Sequence, residues 1–232
     1  QMTLGDFAGK GKGKNGEVAV VGGTEPPCFP EKVFVGVGVP TPTKKGYNDE
    51  GRAVTLEYGK FSMVFAYVPN SGEKLVRLQP RLNDWEADMI AHLSALAKSK
   101  PVIYGGDLNV AHLDGDIWNP EAKHIPKSAG TSPEERAAFG RLLEEAGLED
   151  CWRVMNGNDA KGAFTFWSQR AQGRPKNRGL RLDYFLATKG MVGEVGEEKK
   201  GTVRVVDCRH LEKETVGISD HCPVVIGVYV PE

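Results

Sequence analysis

Residues 101–112 read PVIYGGDLNVAH, and this stretch decides the fold. Pro101 leads into Val102, Ile103 and Tyr104, an apolar, β-favouring run that predicts a short buried strand. Gly105 and Gly106 end it and let the backbone turn. Asp107 and Asn109, two residues apart, can then point the same way from the end of the strand. A plain turn, in which both side chains bond to nearby backbone, is the structural alternative.

Two further polar clusters repeat this pattern beside an apolar strand. Arg181-Leu182-Asp183-Tyr184-Phe185-Leu186 carries an acid in otherwise apolar surroundings. Buried and unpaired, such a carboxylate costs several kcal/mol, so Asp183 needs a partner. Arg181 is the structural candidate, and His221 the functional one. The third cluster, Ser219-Asp220-His221-Cys222-Pro223, precedes the last apolar run. His221 titrates near neutrality, and Asp183 is a natural group to fix its tautomer. Three clusters at strand ends imply side chains converging at one rim of a sheet.

Working outward, short β-type runs occur at Val18 to Val21, Val33 to Val39, Ala53 to Tyr58 and Phe61 to Val68. Leu78, Leu82, Trp85, Met89, Leu93 and Leu96 recur at helical spacing, predicting a helix from about Leu75 to Lys98, its start delayed or kinked by Pro80. A second helix is marked by Ser132 as cap, Pro133 in the first turn, Glu135 completing a capping box and Gly147 past the end. More strands are predicted at Ala163 to Trp167, Arg181 to Ala187, Val203 to Asp207 and Cys222 to Val230. Hairpin-close strands interrupted by two long helices indicate a layered α/β sandwich rather than an all-parallel sheet.

The chain has 232 residues, enough for one large domain, taken as 17–232 behind a Gly- and Lys-rich flexible arm at 1–16. With 30 Lys and Arg against 31 Asp and Glu, bulk charge does not hold it on nucleic acid; any such contact needs a local patch. One candidate is the run Lys161, Arg170, Arg174, Lys176, Arg178 and Arg181, with a solvated loop as its alternative. Cys28, Cys151, Cys208 and Cys222 show no zinc spacing and read as reduced thiols of an intracellular, unanchored protein. A serine hydrolase is the obvious rival use of Ser, His and Asp, but no G-x-S-x-G elbow exists. Carboxylates with Asn and His suit a hard divalent cation and a phosphate ester better.

GGDLNVAH, RLDYFL and SDHCP, in this order and spacing, resemble the signature motifs of exonuclease III-like apurinic/apyrimidinic endonucleases. The likeness continues through NDEGRAVTLEY, FAYVPNSG, DIWNP, AGTSPEER and FTFW, covering residues 47 to 230. It implies a four-layered α/β sandwich, two packed mixed sheets flanked by helices. It further implies hydrolysis of the phosphodiester 5′ to an abasic site, assisted by Mg²⁺ or Mn²⁺, with 3′-to-5′ exonuclease or 3′-phosphodiesterase activity as an addition. The implied partner is double-stranded DNA with abasic sites or blocked 3′ ends, and the implied protein is a monomer without membrane attachment, nuclear in a eukaryote.

By the same resemblance, Asp107 orients or deprotonates the attacking water and Asn109 holds the phosphate or that water. His221, oriented by Asp183, stabilises charge on the phosphoryl oxygens, and Tyr67 binds the phosphate or aids the leaving oxygen. Asp220, with Asp107 and Asn109, binds or orients the metal. Asn70 lines the site, and Asn119 and Asn177 support DNA contact and the active-site geometry; Arg170, Arg174, Lys176 and Arg178 are expected on the DNA face from the basic run itself, not from the resemblance. His112 is expected to be structural.

The chain also departs from that pattern. The family's first strand ending in Asn, and the metal-binding Glu of a Q-E-T-K type motif, are not found, so the first strands are expected to be missing and Glu17 is no substitute. Glu73 stands where relatives can place Arg, Leu180 replaces a common aromatic, and Arg170 takes a position often held by an apolar wedge. A non-cutting relative that binds DNA or a protein partner is therefore the alternative.

Overall fold

The computed structural model describes residues 29–38, 50–194, 196 and 201–231. The predicted strand at Val18 to Val21 and the basic arm lie outside them. The order is β1 (Lys32–Val35), β2 (Ala53–Glu57), β3 (Ser62–Tyr67), helix α1, β4 (Val102–Asp107), α2 (Pro133–Glu145), β5 (Leu148–Asp150), α3 (Cys151–Asn156), β6 (Asp183–Thr188), β7 (Arg204–His210) and β8 (Val224–Tyr229). Helix α1 runs through Leu78–Pro80, a π-wound stretch at Arg81–Glu86, and Ala87–Ala97.

A six-stranded mixed sheet has the order β1-β2-β3-β4-β6-β5, and β7 pairs with β8 in a second, two-stranded sheet. Among the described strands only β3 and β4 pair in parallel; the other pairs are antiparallel. Alternation along β4 and β6 assigns side chains to two cores. Val102, Tyr104, Tyr184 and Leu186 join Trp85, Met89, Leu93, Phe139 and Leu142 under the long helices. Ile103, Phe185 and Ala187 face the other way and pack with Val205 and Cys208 of β7. The central strands are thus buried on both faces, as their unbroken apolar runs require.

Local signals explain the boundaries. Ser132 caps α2, its hydroxyl accepting from the Glu135 amide at 3.3 Å, and Glu135 reaches back to the Ser132 amide. At α1 the expectation of a start at Leu75 fails by a turn, because Lys74 and Leu75 lie in the left-handed region, at φ 54° and 60°. The predicted strand at Ala163 to Trp167 is replaced by isolated bridges of Phe166 with Leu180 and His221. Its backbone bonds divide between two loops, the Phe166 amide going to Leu180 and the Trp167 amide to Asp220. Sequence reading missed β5 and α3, since three residues, Leu-Glu-Asp, make a weak strand signal. Asp150 caps α3 by accepting from the Arg153 amide.

Candidate active site

Strand register builds the site. Tyr67 of β3 stands opposite Asp107 of β4, and Asp107 opposite Asp183 of β6. The three form one row across adjacent strand ends, on the same side as Phe65, Phe185 and Ile103, the side covered by β7 and β8. Phe65 and Phe185 confirm that shared face with an edge-to-face ring contact at 6.3 Å. Just before β8 the chain brings in His221, whose Nδ1 lies 2.9 Å from Asp183 Oδ2. With Nδ1–H donating, Nε2 is left to face a substrate.

The backbone turn after Asp107 depends on glycine. Gly106 has φ 126°, and a Cβ there would meet the Ala66 carbonyl oxygen at 2.1 Å. Beyond it, Asn109 takes a left-handed conformation at φ 51°. Its amide donates to Asp107 Oδ1 at 2.9 Å, its Nδ2 donates to the Val68 carbonyl at 2.9 Å, and its Oδ1 accepts from Asn70 Nδ2 at 2.9 Å. The turn alternative is therefore partly realised, yet Asp107 Oδ2 keeps only a long 3.3 Å contact to Asn109 Nδ2.

Burial pushes Asp107 up to about 6, and the facing Asp183 carboxylate pushes the same way. For His221, burial works against the charged form. The bond to Asp183, its charge, and those of Asp107 and Asp220 outweigh that and hold the imidazole above its ordinary value. A base that ionises near neutrality beside an imidazole favoured in its protonated form suits general acid–base or electrostatic work on a phosphate.

Arg181 does not pair with Asp183. Fully buried, it donates to Asp116 Oδ1 at 2.7 Å and Oδ2 at 3.2 Å and to Asp150 Oδ2 at 2.6 Å, while Arg153 brings a second guanidinium to Asp116. Asp183 is thereby left to His221, and Arg181 drops out of the expected basic face. Thr165 Oγ1 accepts from the amides of Leu182 and Asp183 at 2.9 and 3.0 Å, fixing the start of β6. Arg81 holds the other loop from behind, donating to the Asn109 and Leu108 carbonyls at 2.7 and 2.9 Å and to Glu135 at 3.0 Å. Sequence reading found Glu135 only as a capping residue and missed Arg81 and Thr165. Their side-chain hydrogen-bond partners lie 17 to 54 residues away, and no local pattern marks them.

The remaining predicted residues spread around this row. Tyr67 is 54% exposed with the Arg52 guanidinium 5.2 Å from its ring centre. Asn119 carries a buried Oδ1 without a hydrogen-bond partner. Arg170, Lys176 and Arg178 are exposed, Arg178 stacking 4.9 Å over Trp118. Asn177, in the left-handed region, accepts from Trp167 Nε1 at 3.0 Å and donates to the Gly162 carbonyl at 2.9 Å. Arg174 is turned inward, onto the carbonyls of Glu212, Thr215 and Ser219, which corrects its expected place on the DNA face. The His112 ring packs 4.8 Å from that of Phe139.

A cavity of about 280 Å³ between Trp118, Ile125, Phe166 and Leu180 adjoins the row, since Phe166 also touches the His221 ring at 5.1 Å. A groove of about 1010 Å³ along His112, Leu148 and Arg153 contains none of the row's residues. Asp107, Asn109 and Asp220 offer hard oxygen donors. Among the described residues, however, no three His, Cys, Asp or Glu side chains gather around one ion position. Mg²⁺ commonly takes one or two protein carboxylates, with water and substrate phosphate completing its shell, so these donors fit such an ion in kind.

A carboxylate row with an oriented imidazole, at the rim of two packed sheets, defines a site suited to hydrolysis. The chain belongs to the Endonuclease/Exonuclease/phosphatase family, whose model matches residues 17–221. It is 39% identical over 202 residues to a DNA-(apurinic or apyrimidinic site) endonuclease of Dictyostelium discoideum, covering 87% of this chain and 50% of that protein. To an exodeoxyribonuclease of Bacillus subtilis it is 36% identical, covering 84% and 69%. Among solved structures it resembles the AP endonuclease LMAP of Leishmania major, with a TM-score of 0.67, 31% identity, and coverage of 83% of this chain and 59% of that one. The chain thus spans about half the length of the first of these relatives.

Proposed function

We propose that this chain carries most of the catalytic centre of a DNA-repair phosphodiesterase that hydrolyses the backbone 5′ to abasic sites. The observation that carries this reading is the row of Asp107 opposite Asp183, with Asp183 bonded to His221 at 2.9 Å. Asp107, held near neutrality, takes a proton from water attacking phosphorus. His221, aimed by Asp183 and with its charged form favoured by the acids around it, faces the phosphoryl oxygens as they gain charge. Asn109 and Asn70 position the water or the phosphate, and Tyr67 contacts the phosphate or the leaving oxygen.

Family members are metal-dependent nucleases, and Mg²⁺, or Mn²⁺ in its place, is the cation we assign. Asp220, with Asp107 and Asn109, would hold it, and it would supply charge neutralisation at the phosphate. Double-stranded DNA lies across exposed Arg170, Lys176 and Arg178, with Asn119 and Asn177 shaping the loops beneath. Such contacts give salt-dependent affinity rather than sequence choice. The apolar cavity beside Phe166 and Leu180 suits a deoxyribose that lacks its base. Action at blocked 3′ ends follows from the same chemistry, and the monomer and a nuclear address are parts of the proposal taken from the resemblance.

A second reading is a relative that binds DNA without cutting it, favoured by the absence of a three-residue metal cluster among the described residues. Nicking of a duplex with one tetrahydrofuran abasic analogue separates the two. Cleavage that requires Mg²⁺, stops with EDTA and is lost in Asp107→Asn supports the enzyme. Salt-sensitive binding without turnover supports the second reading.

A further inference from the structure

Arg174 lies in a basic run, but it behaves unlike its exposed neighbours Arg170, Lys176 and Arg178. Its Nη1 donates to the carbonyls of Thr215 at 3.0 Å and Ser219 at 2.9 Å. Its Nη2 donates to the Glu212 carbonyl at 2.6 Å and to Thr215 Oγ1 at 3.1 Å. The guanidinium stacks 4.5 Å from the centre of the Trp167 ring, and its Nε is buried without a partner. All four terminal N–H groups are therefore engaged within the protein, and the fifth is out of solvent's reach.

What these bonds hold is the turn segment that ends in Asp220 and His221. That segment has little hydrophobic anchorage of its own, since Val216 and Ile218 are 62% and 82% exposed. Two links lead from Arg174 to the site. Thr215 Oγ1, which accepts from Arg174, donates to the His221 carbonyl. Trp167, under the guanidinium, donates its amide to the Asp220 carbonyl at 2.8 Å. We propose that Arg174 is a positioning residue, a staple that fixes the 212–221 segment so that His221 meets Asp183. The inference rests on reading that row as hydrolytic. Lysine cannot replace it, because one ammonium group cannot span acceptors on three residues while lying flat on an indole.

The test uses the full chain with Arg174→Lys, which keeps the charge, and Thr215→Val, which removes a single link. Amide hydrogen exchange over 212–221, the single-turnover rate on an abasic duplex, and the salt dependence of its binding are measured for each. For Arg174→Lys the proposal expects exchange over 212–221 at least about tenfold faster. It also expects a cleavage rate about 100-fold lower, the scale of a 1 Å misplacement. Binding affinity and salt slope stay as in the parent. Thr215→Val shows the same pattern more weakly. Unchanged exchange over 212–221 in Arg174→Lys, whatever happens to DNA binding, would overturn the proposal. Should the parent chain not cut at all, the proposed activity fails while the exchange measurement alone still decides the staple.

Discussion

Asp183 and Arg181 sit two residues apart, yet the acids around them are held in opposite states. Behind the site, Asp116 is buried, which works against its charge, but Arg181 and Arg153 outweigh burial and keep its carboxyl below the usual range. At the rim, Asp107 is bonded by Asn109 rather than by a guanidinium, and burial with Asp183 opposite pushes it up to about 6. One cluster spends its cations on its acids and is inert; the other withholds them and gains a group that ionises near neutral pH. Where the arginines go, more than where the aspartates are, separates scaffold from chemistry.

The comparison breaks most visibly at Arg181. Arg181→Met leaves Asp150 without its guanidinium and Asp116 with one where it had two. Equilibrium urea unfolding at pH 7 is expected to show a loss of about 3–5 kcal/mol. At the rim, His221→Ala is expected to lower kcat about 10²–10³-fold, roughly 2.7–4 kcal/mol, with little change in unfolding free energy. A large stability loss in that variant would place His221 in the scaffold.

Asp107→Asn sharpens the contrast. Because the folded value of Asp107 lies above that of an ordinary carboxylate, the native state favours the proton. That stability is present at acid pH and is lost as pH rises through about 6. In metal-free buffer at pH 8 the neutral Asn should therefore raise stability by about 3 kcal/mol, while in Mg²⁺ the same variant should lose cleavage. Asp116→Asn should lower it. The smallest effect belongs to the surface: Arg178→Ala should reduce the slope of log affinity against log salt by about 0.9.

Much of this was legible before the fold was known, and the reasons are specific. Asp107, Asp183 and His221 each stand at or next to an apolar strand, where an unpaired polar group needs an explanation; strand register then brings the two acids together, and the chain just before β8 adds His221. The two helices were legible from period and capping, because Ser132 and Glu135 announce the start of α2. Arg174 was misread, since its partners are backbone carbonyls, which leave no mark in the sequence, and a cation in a basic run looks solvated. Arg81 escaped for a similar reason: it is fully buried in a helix and bonds Glu135, 54 residues on. The bridges at Phe166 replaced an expected strand because its neighbours are loops rather than strands.

The most direct test of the account is the carboxyl titration of Asp107 and Asp116 by carbon NMR in EDTA-treated protein, with and without Asp183→Asn. The account expects Asp107 to titrate at about 6 and to fall when Asp183 loses its charge, with Asp116 ionised below the ordinary carboxylate range throughout. Asp107 titrating at or below that ordinary range, unmoved by Asp183→Asn, would contradict it.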